Sequence, residues 1–378
     1  MNQHAAATAL LQAALRRRLV SVKEAMALRH VLAGCGADPQ AIRGRLAHLP
    51  EQVSEATARA LMDLLPPADA VDPESFQRLA HLGDGRLGST WLGLSQASQA
   101  SQASHAGLVV LKRFTSERVD ETTAAALQRE LAPLFSTGHH YLVRHLALVR
   151  GADGCWTLVQ HYRQGRDASQ RADIKGEASE ARALTILRHT AKGLAQLHQL
   201  GLHHGQLHPG NVLLDGDGRA AIGDQALCGP ANAPRWNAVL LGRQAWAAPE
   251  EFAEHPVGGP AADIYALGGI GWWLLTGAPP FPGTPDRQVL QHLGADRPDV
   301  REHAPGVSDL TAKTLLKCMQ VDPAQRYPSA QALLHSLERN LDLLERPQKD
   351  TEPVAKPTNR SGPSPLLMEG LSSGENSR

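Results

Sequence analysis

The sequence predicts an α+β chain built in three successive parts: a small all-helical segment, a sheet-rich lobe and a helical lobe. Three observations carry this expectation. Residues 1–65 are rich in Ala, Leu and Arg, which favour helix, and the stretch ends at Pro66-Pro67. From Phe76 the pattern changes to short apolar runs punctuated by glycine. From about Leu184 it changes again, to long helical periodicities.

The elements follow in order. One N-terminal helix is expected to begin at Ser21, where Ser21-Val22-Lys23-Glu24 forms a capping box whose hydroxyl and carboxylate satisfy orphan amide donors reciprocally. A second is expected from Ser54 to the residues before Pro66-Pro67, because proline removes a donor and disfavours helical angles in the preceding residue. Residues 66–75 read as a linker. Ser89 to Leu94 reads as a strand, and Ser95 to Ser104, which repeats Ser-Gln-Ala three times, has too little apolar surface to repay its ordering and is expected to be a mobile loop. Val109-Val110-Leu111-Lys112 is a β-branched run, and Glu117 to Phe135 a helical one carrying Glu130. The most apolar run, Ile264 to Leu275, is too short and glycine-interrupted to cross a bilayer. In the tail 346–378, 13 of 33 residues are Pro, Gly or Ser, so disorder is expected, with Leu366-Leu367-Met368 as its one docking element.

Of 378 residues, 38 are Lys or Arg and 38 Asp or Glu, mixed rather than in blocks, which removes the electrostatic case for nucleic acid or an anionic membrane as partner. Cys35, Cys155, Cys228 and Cys318 stand far apart and read as reduced thiols. No signal pattern opens the chain, and a cytoplasmic protein is expected.

Gly83-Asp84-Gly85-Arg86-Leu87-Gly88 is a G-x-G-x-x-G run, whose missing side chains let backbone amides approach phosphate oxygens. A bare structural turn would use the same glycines. A dinucleotide fold would need strand, glycines and then a helix, whereas here a second strand follows, so the run suits a hairpin flap over phosphates. A strand lysine, Lys112, held by a helix glutamate, Glu130, is a way to pin a cation against α- and β-phosphates.

Downstream come His204-Gly205-Gln206-Leu207-His208-Pro209-Gly210-Asn211, then Asp224-Gln225-Ala226, Ala248-Pro249-Glu250, Asp263-Ile264-Tyr265-Ala266-Leu267-Gly268 and finally Arg326. In this order and at these intervals the chain, from about Phe76 to Leu344, resembles the Ser/Thr protein-kinase superfamily in a bacterial-type form. The resemblance implies a bilobal domain over 76–345, with an antiparallel-sheet N-lobe at about 76–165, a helical C-lobe at about 166–345, and ATP with Mg²⁺ in the cleft between them. Carried over by position, Gly83, Gly85 and Gly88 match the phosphate flap, Lys112 the strand lysine and Glu130 its partner. Asn211 and Asp224 match the two metal ligands, and Val110, Gln160 and Leu213 join the nucleotide-binding set. Glu250 and Arg326 match a structural ion pair, and Asp263 the residue that anchors the catalytic loop.

The departures from the family pattern are informative. Gln206 stands where the family has the aspartate that takes the acceptor hydroxyl's proton, and a carboxamide is no base at physiological pH. General-base assistance is worth roughly 10²–10⁴-fold in rate, about 3–5 kcal/mol. His208 replaces the lysine that supports the transferring phosphate, Gln225-Ala226 replace the Phe-Gly after the metal aspartate and are expected to loosen the switch there, and Gly205 replaces the arginine that grips a phosphorylated activation loop. No Ser, Thr or Tyr occurs between Asp224 and Glu250, which excludes control by phosphorylation there. Arg243 replaces the threonine of the substrate-facing loop; Asp84, Thr90 and Val110 alter the nucleotide's surroundings, with Arg86 as a counter-charge to Asp84.

The histidines suggest two other roles. His198, His203, His204 and His208 invite a metal reading, but the kinase register already explains His204 as a loop residue. His208 as a substitute base suits its titration range, although its position fits the phosphate better. The expectation is a pseudokinase that holds ATP and magnesium and regulates or scaffolds a protein partner. Its rivals are a slow but active Ser/Thr kinase that transfers the γ-phosphate to a protein hydroxyl, and a nucleotide-blind scaffold. The sequence does not address the oligomeric state.

Overall fold

The computed structural model describes residues 3–32, 35, 39–47, 53–65, 76–85, 87–95, 107–170, 179–225, 243–253 and 258–345. The linker 66–75, Arg86, the repeat after Ser95, Ala226 with the segment to 242, Cys228 and the tail from 346, including Leu366-Leu367-Met368, lie outside these residues.

Four helices come first: α1 (Gln3–Arg16), α2 (Val22–Leu32), α3 (Pro39–Leu46) and α4 (Glu55–Leu64). The capping box at α2 forms as expected, with the Ser21 amide donating to Glu24 Oε2 at 2.9 Å and the Glu24 amide to Ser21 Oγ at 3.2 Å. Thr57 Oγ1 donates to the other Glu24 oxygen at 2.7 Å, tying α2 to α4, whose N-cap is Ser54. These hydrogen bonds, that of Thr57 foremost, hold the Glu24 carboxyl down at about 2. The last helix ends at Leu64, just ahead of the prolines.

β1 (Phe76–Gly85), β2 (Gly88–Ser95) and β3 (Leu108–Phe114) lead to α5 (Glu121–Ser136), then β4 (His145–Arg150) and β5 (Trp156–His161). The five strands form an antiparallel sheet in the order β1-β2-β3-β5-β4. Helix α5 begins four residues later than the sequence suggested, because Asp120 takes the N-cap and accepts from the Thr123 amide at 2.8 Å. Glu117 falls in the preceding turn.

The lower lobe comprises β6 (Arg166–Asp167), α6 (Ser179–Gln199), β7 (Val212–Leu214), β8 (Ala220–Ile222), α7 (Pro260–Thr276), α8 (Pro285–Leu293), α9 (Asp309–Cys318) and α10 (Ala330–Glu345). Strands β6-β7-β8 make a small antiparallel sheet. Helix α7 carries the apolar run Ile264–Leu275, buried on nearly every side among α6, α9 and α10.

The helical segment does not form a core of its own. Leu10, Leu28, Leu46, Leu61 and Leu64 share one hydrophobic cluster with Leu79, Leu92, Leu108 and Tyr162, and Val110 packs against it. Gln12 accepts from Tyr162 Oη at 3.2 Å, immediately after β5. Burial of apolar area, at about 25 cal/mol per Å², therefore couples α1–α4 to the sheet rather than isolating them behind the prolines.

Candidate active site

The flap is a tight hairpin in which Gly85 pairs with Gly88. Gly88 has φ +149°, and a Cβ there would lie 1.9 Å from the Arg113 carbonyl oxygen, so this glycine serves the fold. At Gly83 a Cβ would meet nothing within 4 Å. That site leaves open space which an approaching ligand can use. His81 Nε2 contacts Asp84 Oδ1 at 2.9 Å, while Arg17 Nη1 lies 3.5 Å from His81 Nδ1. Both contacts are satisfied when Nε2 carries the proton and Nδ1 accepts. Arg86, the expected counter-charge, lies outside the described residues; the contacts seen at Asp84 run through His81 to Arg17, just after α1, a partnership that the hairpin register and the docking of α1 create.

Lys112 on β3 reaches down to an ion pair with the Asp224 carboxylate. Burial opposes ionisation of Asp224, but the adjoining ammonium outweighs it and holds the carboxyl below its usual range. Asp224 has φ +58°, a left-handed conformation that aspartate tolerates better than most residues. Glu130, the expected partner of Lys112, lies half-buried on α5, which packs on β4. Val110 faces Gln160 across the β3–β5 ladder, and Leu213 is half-buried on β7.

Asp263, in the first turn of α7 and 2% exposed, holds the loop in place. Its Oδ2 accepts from the His204 amide at 2.8 Å and contacts His198 Nε2 at 2.9 Å; its Oδ1 accepts from the Gly205 amide at 2.9 Å. Gly205 has φ +70°, so glycine relieves strain at the position where the family places an arginine. The His204 ring is fixed at both nitrogens: Nδ1 accepts from the Gln206 amide at 3.1 Å, and Nε2 donates to the Gly223 carbonyl at 2.8 Å. Asn211 Nδ2 donates to the Gln206 carbonyl at 2.9 Å. Residue 206 is thus held through both its N–H and its C=O, whatever its side chain.

His208 Nδ1 accepts from the Gly210 amide at 3.1 Å, and burial, with Arg243 nearby, pushes the imidazole down to about 3. It is neutral and a poor base at neutral pH, which disfavours the substitute-base reading. The rings of His198, His204 and His208 are each engaged in the loop, and among the described residues no group of three or more His, Cys, Asp or Glu is arranged to hold a metal.

Gln225 differs from the expectation that its polar side chain would loosen this point. It is 1% exposed, and its Nε2 donates to the Val143 carbonyl at 2.5 Å. The Val143 amide donates to the Ile222 carbonyl at 2.8 Å and the Ile222 amide to the Tyr141 carbonyl at 2.9 Å, so Gln225 extends a backbone ladder between the lobes. Where an aromatic would pack, an amide hydrogen-bonds. Behind it, Gln160 Nε2 lies 3.2 Å from His145 Nε2, and burial lowers His145 to about 4. No sequence signal marked His145 or His81, because each acquires its partner only through the sheet.

In the lower lobe Arg326 forms a two-pronged ion pair with Glu250, at 2.7 Å for each contact. Its remaining N–H groups go to the carbonyls of Gln320, Ala261 and Val321. The flap, the strand lysine, the anchored loop and this pair stand together in one bilobal frame, and the sequence profile of the protein kinase domain matches residues 76–337.

The chain belongs to the protein-kinase family. It is 36% identical over 159 residues to the DNA damage-responsive serine/threonine-protein kinase RqkA of Deinococcus radiodurans, covering 41% of this chain and 24% of the relative. It is 26% identical over 234 residues to the serine/threonine-protein kinase drp72 of Corynebacterium efficiens, covering 61% and 44%. With the serine/threonine-protein kinase PrkC of Bacillus subtilis the identity is 27% over 194 residues, covering 50% and 29%. The chain thus spans less than half the length of each of these kinases. Among the described residues no helix is long and apolar enough to cross a membrane.

Proposed function

We propose that this kinase-family chain binds ATP with Mg²⁺ in the cleft between its lobes, transfers phosphate poorly or not at all, and acts on a protein partner through its conformation. The observation that carries the reading is the contrast within one loop: Asp263 anchors residues 204 and 205, and the His204 ring and Asn211 hold the N–H and C=O of residue 206, yet that residue presents a carboxamide. The donor set fits a hard cation. Asn211 commits its N–H to the Gln206 carbonyl, which leaves the amide oxygen for a metal, and Asp224 is kept ionised. A magnesium ion held there would neutralise phosphate charge.

Lys112 has two tasks in this scheme. Without nucleotide it neutralises Asp224; with nucleotide it turns to the phosphates and to Glu130, leaving Asp224 for the cation. Gly83 leaves the flap open to phosphate oxygens, and Val110, Gln160 and Leu213 border the base. At the acceptor side neither Gln206 nor neutral His208 can take a proton or supply a positive charge at pH 7.

An active enzyme is the second reading. The fixed backbone of the loop favours it, since phosphoryl transfer depends largely on positioning and electrostatics. Labelled-phosphate transfer to the chain itself or to a basic protein, compared between wild type and Gln206→Asp, separates the two. Strong wild-type transfer that aspartate does not improve would refute the impaired reading. Stabilisation by ATP·Mg²⁺ that vanishes in Asp224→Ala tests the nucleotide site, and no stabilisation at millimolar nucleotide would leave only a scaffold.

A further inference from the structure

Helices α9 and α10 pack on one another, and a groove of about 670 Å³ that includes no residue of the flap or the catalytic loop is lined by both. Its two walls have the same pattern. On α9, Leu310, Lys313, Thr314 and Lys317 fall at positions i, i+3, i+4 and i+7, one stripe of a helix. On α10, Ala332, His335, Ser336 and Arg339 repeat that spacing and the same order of types: apolar, basic, hydroxyl, basic. Tyr327 and Pro328 complete the lining.

The hydroxyls are consumed within the floor. Tyr327 Oη donates to Ser336 Oγ at 2.9 Å, Ser336 and Thr314 lie 3.4 Å apart, and Asn340 Nδ2 donates to Thr314 Oγ1 at 3.0 Å. Recognition therefore falls to the rim. There Lys313 is paired with Asp309 at 2.6 Å, and Asp309 also takes Arg301. Lys317 and Arg339, on opposite walls, meet no carboxylate among the described residues; Lys317 sits 4.5 Å over the Tyr327 ring. Among the described residues no acidic side chain lines the groove. Two cations without a carboxylate partner, one from each helix, beside the apolar residues Leu310, Pro328 and Ala332 are complementary to a chain that alternates carboxylates with apolar side chains.

We propose that the groove between α9 and α10 is a docking site for an acidic peptide segment of a partner protein, with Lys317 and Arg339 holding its carboxylates and Leu310, Pro328 and Ala332 seating its apolar residues. The site shares no residue with the cleft and does not depend on whether phosphate is transferred there.

The test is fluorescence anisotropy on the full chain with three labelled synthetic peptides of equal length: glutamate alternating with leucine, glutamine alternating with leucine, and phosphoserine alternating with alanine. The glutamate peptide is expected to bind at low ionic strength and to weaken as salt is added. The double substitution Lys317→Glu with Arg339→Glu, at two exposed positions, is expected to weaken it by about tenfold or more, and Lys317→Gln with Arg339→Gln by less. Circular dichroism and ATP·Mg²⁺ stabilisation of the variants are expected to match wild type, which separates loss of docking from loss of fold. The assignment is overturned by equal binding of the glutamate and glutamine peptides, by binding that survives the double reversal, by no binding at all, or by capture of the phosphoserine peptide alone. Dimerisation abolished by the reversal, without peptide binding, would give the groove to a second copy and likewise overturn it.

Discussion

The two halves of the cleft differ in how far they keep the family's chemistry. On the nucleotide side, Lys112, Asp224, Asn211 and the flap glycines have the expected identities, and the lysine and aspartate meet across the lobes. On the acceptor side, the identities at 205, 206, 208 and 243 depart from the family pattern, yet the loop backbone at 204–206 is held by Asp263 and the His204 ring. Scaffold and reactive group are separable: hydrogen bonds to N–H and C=O fix a loop regardless of the side chain it presents, whereas proton transfer depends on that side chain alone. On the proposed reading, such a site would keep its hold on a nucleotide while transferring phosphate poorly.

The comparison breaks most visibly at Gln206. If the missing carboxylate alone separates the halves, Gln206→Asp raises phosphotransfer by roughly 10²–10⁴-fold with nucleotide affinity unchanged, read by labelled phosphate and by titration of ATP. Asp263→Ala tests the opposite element, the shared frame. It strips two loop amides and His198 of their acceptor, so a loss of about 3 kcal/mol is expected in chemical denaturation, and both functions fall together. Lys112→Ala acts on the nucleotide side only: the gain in thermal stability with ATP·Mg²⁺, about 2.7 kcal/mol at a hundredfold excess over Kd, disappears.

Acid sharpens the same contrast. His208 on the acceptor side and His145 behind the nucleotide side are buried and neutral, at about 3 and about 4. Both folded values lie below the ordinary 6.5, so as pH falls below 6.5 the unfolded chain takes protons that the folded one refuses. The stability from these groups is complete above 6.5 and is lost at up to about 1.4 kcal/mol per pH unit for each histidine as pH falls toward 4. Urea unfolding between pH 7 and 4 reads the slope, and His145→Gln flattens part of it. Phosphate transfer should show no step between pH 5 and 8 that vanishes in His208→Ala. The smallest effect is expected for Gly83→Ala, where a methyl enters open space: melting temperature unchanged, ATP affinity lowered several-fold.

Much of this site was legible residue by residue. The capping box at Ser21, the hairpin at the glycine run and the Arg326–Glu250 pair follow from local patterns and ordered spacing, and each has the predicted form. Helix α5 starts four residues past Glu117, at the cap that Asp120 provides, a local preference that apolar periodicity does not register. Gln225 has a partner that its polarity alone did not announce: the Val143 carbonyl, 82 positions earlier in the chain.

What sequence alone determined is the functional-group chemistry: an amide at 206 cannot accept a proton and an imidazole at 208 is not a lysine, wherever the chain folds. Tertiary structure decided the environments. It alone joined the N-terminal helices to the sheet in one core that reaches Val110, neutralised His208 by burial, set His81 between Arg17 and Asp84, and faced the basic stripes of α9 and α10 across a groove. The division is physical. A side chain's bonding capacity travels with the residue, but its solvation and its neighbours come from segments far apart in the chain, and these meet only when apolar faces close on one another.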